Sequence, residues 1–122
     1  MIKTTTGKVS YHSGHTAELQ VARHYERDGW RVLQHRFKSA AGEIDLAFHR
    51  NDTVLFVELK RPRTHDIAAS RISLQQIARI NQSAEIFVDE HLSGQNFEMR
   101  LDAALVDQEG EIQIIPDALA DF

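Results

Sequence analysis

The sequence has no cysteine. That excludes disulfides and thiolate metal sites, and it is compatible with the cytoplasm, the expected compartment. No run approaches the roughly 20 consecutive apolar residues that span a bilayer, so no membrane partner is expected. The N-terminal stretch "MIKTTTGKVSYHSGH" lacks the apolar core of a signal peptide. An excess of basic residues is missing too. The net charge is −4 and the pI about 5.9, which argues against binding nucleic acid by bulk charge alone. An enzyme with an acidic metal centre and a local basic rim stays compatible with that balance. Internal repeats and low-complexity segments are also absent.

What is present suits a single domain over residues 1–122. Hydrophobic residues make up 42% and charged residues 26%, ordinary proportions for a chain with a core of its own. Residues 1–12 read as a loose polar arm. From Gly14 to Asp28 the pattern is helical, with Ala17, Leu19, Val21, Ala22 and Tyr25 as the apolar stripe, Ser13 as a candidate N-cap and Gly29 as a stop. "WRVLQHRF" alternates as a strand, and "KSAAG" reads as a loop. Strands follow at Glu43–Phe48 and Val54–Lys60 around the turn "HRND". Ala68–Glu90 reads as a long helix with Ile72, Ile77, Ile80, Ala84, Phe87 and Val88 at helical spacing. "FEMRLDAALV", the turn "DQEG" and "EIQII" close the pattern, and "DALADF" is a short tail. The order α-β-β-β-α-β-β predicts an α/β domain, a mixed five-stranded sheet flanked by two main helices.

The stretch "GEIDLAFHRNDTVLFVELK" poses a physical problem. Side chains alternate across a strand, so Ile44, Leu46 and Phe48 share a face with Leu55, Val57 and Leu59. The opposite face then carries Glu43, Asp45 and Ala47 beside Phe56, Glu58 and Lys60. A two-residue loop at Asn51-Asp52 sets Asp45 opposite Glu58 and Glu43 opposite Lys60. A four-residue loop at His49–Asp52 makes the two acids diagonal neighbours instead. Either register holds the carboxylates within roughly 5–8 Å. Acids that close need a cation, a shared proton or full solvation. Their oxygens are hard ligands suited to Mg²⁺ or Mn²⁺. Lys60, two residues from Glu58, could hold or deprotonate a water beside the metal, or stabilise developing negative charge. An Asp followed by Glu-x-Lys is a compact set for metal-assisted phosphodiester hydrolysis. The plain alternative is a solvated sheet face. The basic run "LKRPRTH" offers a rim through Arg61 and Arg63, extended by Arg71 and Arg79, or a solvated loop.

These motifs are familiar as a set. "GHTAE" (14–18), "GEIDLAF" (42–48), "FVELKRPR" (56–63), "SLQQIARINQSAEIFV" (73–88), "MRLDAALV" (99–106) and the terminal "DALADF" together resemble the YraN-like family. That family lies within the PD-(D/E)xK nuclease superfamily and is related to archaeal Holliday-junction resolvases. The resemblance implies a restriction-endonuclease-like fold. It also implies a metal-dependent endonuclease that acts on DNA, including branched or structured DNA, through in-line attack of a metal-activated water. It assigns Asp45 and Glu58 to the metal, with the Leu59 backbone carbonyl as a further ligand and Lys60 as the catalytic lysine. Glu18 would lean towards the metal or its water, and Gln76 would stand where the superfamily carries Lys or Gln. The YraN-like pattern favours Lys near that position, and this chain has Gln. A homodimer is the assembly the resemblance suggests.

Two rival functions make different predictions. A nuclease fold that has lost turnover would bind nucleic acid in a salt-dependent way without cutting it. A protein-interaction module of a mobile element would do neither and would tolerate loss of Asp45. Among other features, His12 and His15 could share a helix face, although the seven histidines are scattered. Trp30 reads as packing, and Asp102 reads as structural.

Overall fold

The computed structural model describes residues 14–61, 73–92 and 96–118, and the side chains from residue 16 onward. The N-terminal arm, Ser13, Arg63, Arg71, Ile72 and the last four residues therefore lie outside the described residues. The elements are α1 (Gly14–Arg27), β1 (Arg31–Ser39), β2 (Gly42–Arg50), β3 (Thr53–Lys60), α2 (Leu74–His91), β4 (Glu98–Val106) and β5 (Ile112–Ile115). This is the expected α-β-β-β-α-β-β order. The five strands form one mixed sheet in chain order. Neighbouring strands are antiparallel except β3 and β4, which run parallel. α2 supplies the long connection that a parallel pair requires.

Helices cover the two faces of the sheet. Ala17, Val21, Ala22 and Tyr25 of α1 pack with Leu46, Phe48, Leu55, Val57, Ala104 and Val106. Ile77, Ile80, Ala84 and Phe87 of α2 pack with Phe37, Ile44, Ala47, Phe56, Leu101 and Ala103. The i, i+3, i+4 spacing of those α2 residues puts them on one stripe. α1 ends at Gly29, whose φ of 90° suits glycine. There Trp30 N–H donates to the Tyr25 carbonyl at 3.1 Å and Gly29 N–H to Glu26 at 3.0 Å, the paired bonds of a Schellman stop.

Several local expectations need correction. Leu19 is exposed, and Glu18 takes the buried place on α1, because it finds an ionic partner on β1. "KSAAG" is no free loop: β1 runs through Ser39, and only Ala40-Ala41 turn before β2 starts at Gly42. His49 and Arg50 belong to β2, so the turn is Asn51-Asp52 alone, as Arg50↔Thr53 pairing requires. Asn51 takes a left-handed φ of 53°, which asparagine tolerates. α2 starts at Leu74 and not at Ala68. Ser73 is extended, and its hydroxyl accepts from Gln76 N–H as the N-cap.

Ile44 also departs from the simple alternation. It joins Phe37 under α2, while Leu46 lies under α1. The pairs His35↔Leu46 and Phe37↔Ile44 flank a rung, Arg36 and Asp45, that makes no regular pairing. Arg36 adopts a left-handed φ of 51°. The hairpin twists at this rung, and its tip swings onto α2, where Ser39 Oγ meets the buried Ser83 Oγ at 3.0 Å. Gly42 has a φ of 143°, which suits glycine, and a Cβ there would meet Arg79 and Ser83 at an ordinary 3.8 Å.

Asp102 has the structural role expected of it. Its carboxylate is fully buried and accepts from Tyr25 Oη at 2.8 Å, from two Arg100 nitrogens at 3.1 Å each, and from Asp117 N–H at 2.8 Å. It joins α1, β4 and the segment after β5. Burial first, then the Asp102 charge, pushes the Tyr25 phenol well above its ordinary pKa. Trp30 is buried as well, with the guanidinium carbon of Arg50 4.2 Å from its ring centroid. Asp102→Asn turns an amide NH₂ towards donors. We expect it to cost about 2–4 kcal/mol, measured as a lower urea midpoint at unchanged slope. A loss below roughly 0.5 kcal/mol would show that the cluster is dispensable.

Candidate active site

The twisted rung decides where the acids go. Pairing between β2 and β3 stops at Leu46↔Val57, so Asp45 does not face Glu58 across a regular ladder. Asp45 Oδ2 instead accepts the Leu59 N–H at 2.8 Å, taking the place of a strand carbonyl. In an extended strand a residue's N–H and C=O leave by the same edge, so the Leu59 carbonyl faces the same gap. The expectation that Asp45 and Glu58 come together holds in that each carboxyl acts directly on the other's ionisation. Burial, then the Asp45 charge, pushes the Glu58 carboxyl up to about 8. Burial raises Asp45 as well, more than the Leu59 N–H lowers it, with the charges of Glu18 and Glu43 adding to the rise. A shared proton is what two crowded carboxylates adopt without a cation.

Lys60 is anchored from both sides. Its backbone pairs with Leu105 of β4, and its ammonium donates to Gln76 Oε1 at 3.2 Å. That oxygen also accepts the Ser73 N–H at 3.1 Å, and Ser73 Oγ lies 3.4 Å away. Gln76 Nε2 is left as the amide's donor end. The motif Ser73-x-x-Gln76, a capping box readable in the sequence, therefore fixes the acceptor that holds Lys60. Gly42, Glu43, Glu58, Gln76, Arg79 and Ile80 line a small open cleft of about 110 Å³ beside this group. Arg61 is exposed at the end of β3.

Glu18 reaches the site from the α1 side. It is only 4% exposed. Its Oε2 accepts from Arg36 Nε at 2.6 Å, and its charge acts on Asp45. Its Oε1 is buried without a hydrogen bond, as is His35 Nδ1, 3.9 Å away. Sequence reasoning missed Arg36 because alternation gave it no distinctive place on β1.

Among the described residues no three His, Asp or Glu side chains are grouped so as to hold a metal by themselves. A divalent cation nevertheless fits the donor set. Asp45 and Glu58 give two hard oxygens and the Leu59 carbonyl a third. The orphaned Glu18 oxygen lacks the donor a buried acceptor requires. Mg²⁺ commonly takes one or two carboxylates and completes its shell with water and phosphate oxygens. His12 lies outside the described residues, as does the side chain of His15.

Residues 17–106 match the uncharacterised protein family UPF0102. The chain belongs to the UPF0102 family. This is the YraN-like family of the sequence reading. A UPF0102 protein of Cereibacter sphaeroides strain KD131 is 43% identical over 115 residues, covering 94% of this chain and 98% of that one. One from Roseobacter denitrificans is 40% identical over 115 residues, covering 94% and 89%. One from Rhodopseudomonas palustris is 38% identical over 97 residues, covering 80% and 75%. No helix among the described residues is long and apolar enough to cross a membrane.

The raised Glu58 pKa has a definite sign in stability. Below pH 4.5, the ordinary glutamate value, folded and unfolded chains both hold the proton. Between that pH and about 8 the unfolded chain has released it and the folded chain has not. Metal-free stability therefore falls across this window and levels off above it. Glu58→Gln should remove the penalty. We expect the variant to gain roughly 1–3 kcal/mol over the native chain at pH 7.5 and almost nothing at pH 4. Melting curves at the two pH values without divalent metal test this, and equal gains at both would contradict it.

Proposed function

We propose that this chain is a divalent-metal-dependent endonuclease that hydrolyses phosphodiester bonds of DNA. The observation that carries this reading is the half-buried Asp45–Glu58 pair beside the Leu59 backbone, with Lys60 held on Gln76 next to it. Asp45, Glu58 and the Leu59 carbonyl would hold Mg²⁺ or Mn²⁺. The ion would supply a lowered water pKa and charge on a phosphoryl oxygen. Loss of the proton that burial and the Asp45 charge keep on Glu58 frees both carboxylates for the ion, so binding becomes tighter as pH rises towards 8.

The remaining roles follow from the protein's own groups. Lys60, held by Gln76 Oε1, offers hydrogen bonds to charge that develops on the phosphate oxygens. Gln76 Nε2, the free donor end of the same amide, can bind a non-bridging oxygen. Arg79 at the cleft and the exposed Arg61 suit the flanking phosphates. Local cations of this kind let a chain of net charge −4 engage nucleic acid without a basic surface overall. Branched or structured DNA is the preferred substrate class by family likeness.

The test is cleavage of supercoiled, duplex and branched DNA by the full chain with Mn²⁺ or Mg²⁺. We expect metal-dependent cutting that falls at least about 100-fold in Asp45→Ala and in Lys60→Ala. Salt-dependent binding without cutting in any metal would replace this reading with an inactive binder. Neither binding nor cutting would favour an interaction module.

A further inference from the structure

Arg36 has an unusual set of properties for a residue of β1. It sits on a β1–β2 rung without regular pairing, beside Asp45, just beyond the register shift between Val32 and Gln34. Its φ of 51° lies in the left-handed region, a strained conformation for a residue with a side chain. That strained backbone brings its Nε 2.6 Å from Glu18 Oε2. The contact is short and charge-assisted, and Glu18 is one of the three buried polar or charged side chains among the described residues. The arginine side chain itself is 48% exposed, so the ion pair is buried at the acid and open at the base.

The two oxygens of Glu18 are therefore unequal. Oε2 is committed to Arg36. Oε1 is buried with no hydrogen bond. A carboxylate held by one oxygen cannot turn freely, so its other oxygen keeps one direction. Partners of this kind fix the orientation of metal-binding carboxylates, and removing them weakens metal binding. The opposite role is also physically possible. A guanidinium among Glu18, Glu43 and Asp45 could act as a resident counter-ion that a metal must overcome. Oε1, which makes no hydrogen bond and has His35 Nδ1 only at 3.9 Å, favours the first role: a pure counter-ion would have been best placed between both oxygens, as a fork.

We propose that Arg36 is a positioning residue for Glu18, holding Oε2 so that Oε1 stays available to a cation, or to a water of its shell, beside Asp45. This rests on the metal-binding reading of the site. It extends that reading to a residue of β1 that touches neither Asp45 nor Glu58 by hydrogen bond.

The experiment is calorimetric titration of Mn²⁺ into the native chain, Arg36→Asn, Arg36→Lys and Asp45→Ala, with a melting curve for each. Asparagine accepts the left-handed backbone, so Arg36→Asn keeps the rung and loses the guanidinium. Arg36→Lys keeps a cation that can reach Glu18. We expect Arg36→Asn to bind Mn²⁺ about tenfold more weakly and, with Glu18 left buried without its cation, to melt at a lower temperature. Arg36→Lys should recover most of the affinity. Equal affinity in the native chain and Arg36→Asn overturns the positioning role and leaves the metal site intact. Tighter binding by Arg36→Asn overturns it in favour of the counter-ion. An absence of Mn²⁺ binding in the native chain, with and without a short DNA duplex, removes the metal reading and this proposal with it.

Discussion

The hydrogen bond from Leu59 N–H to Asp45 Oδ2 is the joint on which the candidate site depends. β2 stops pairing with β3 after Leu46, and a side-chain oxygen takes over where a backbone carbonyl would have stood. That substitution keeps the Leu59 N–H satisfied, which a partly buried strand requires. It also draws the Asp45 carboxyl against Glu58. Beyond this point the hairpin is free to twist, and its tip crosses to α2. Phe37 and Ile44 enter the core on that side, and Gly42 brings the start of β2 to the cleft. One side chain thus ends a strand pairing, redirects a hairpin and assembles two acids.

The two faces of the sheet divide the work. On the α1 face, Asp102 is saturated with donors from three segments, the arrangement of a buried charge that holds a fold together. The crowded carboxyls near α2 are the reverse: burial and neighbouring charge hold them back from ionising, and they depend on solvent or a cation for their remaining capacity. Glu18 stands between these extremes, with one oxygen bound and one not. Saturated charges serve stability, and unsaturated ones are where a protein tolerates cost for the sake of a ligand.

Much of this was legible in the sequence, and the failures share a cause. Helix and strand order followed from periodicity, and of the two registers offered for β2 and β3 the structure has the one set by a two-residue Asn51-Asp52 turn. The approach of Asp45 to Glu58 came from the same parity argument. That argument assumes an unbroken pleat, so it put Ile44 with Leu46. Nothing in the residue types announced that Arg36 would take a left-handed backbone. Glu18 was assigned to the site by family likeness alone. A hydropathy stripe instead favoured Leu19, because the ion pair that lets Glu18 be buried lies 18 residues away. The start of α2 was misread for a different reason. Apolar spacing ran back to Ala68, while Ser73-x-x-Gln76 carried an explicit start signal.

The sharing of Gln76 Oε1 has a consequence for how this position can change in descent. The oxygen serves the Ser73 N–H at the head of α2 and the Lys60 ammonium together. A lysine at position 76, the residue that the YraN-like pattern favours, would remove the acceptor for both and set two ammonium groups side by side. Positions 60, 73 and 76 are thereby coupled through one oxygen. With lysine at 76 the Ser73 hydroxyl would still cap α2 through the residue-76 N–H, while the Ser73 N–H and the Lys60 ammonium would each need another acceptor.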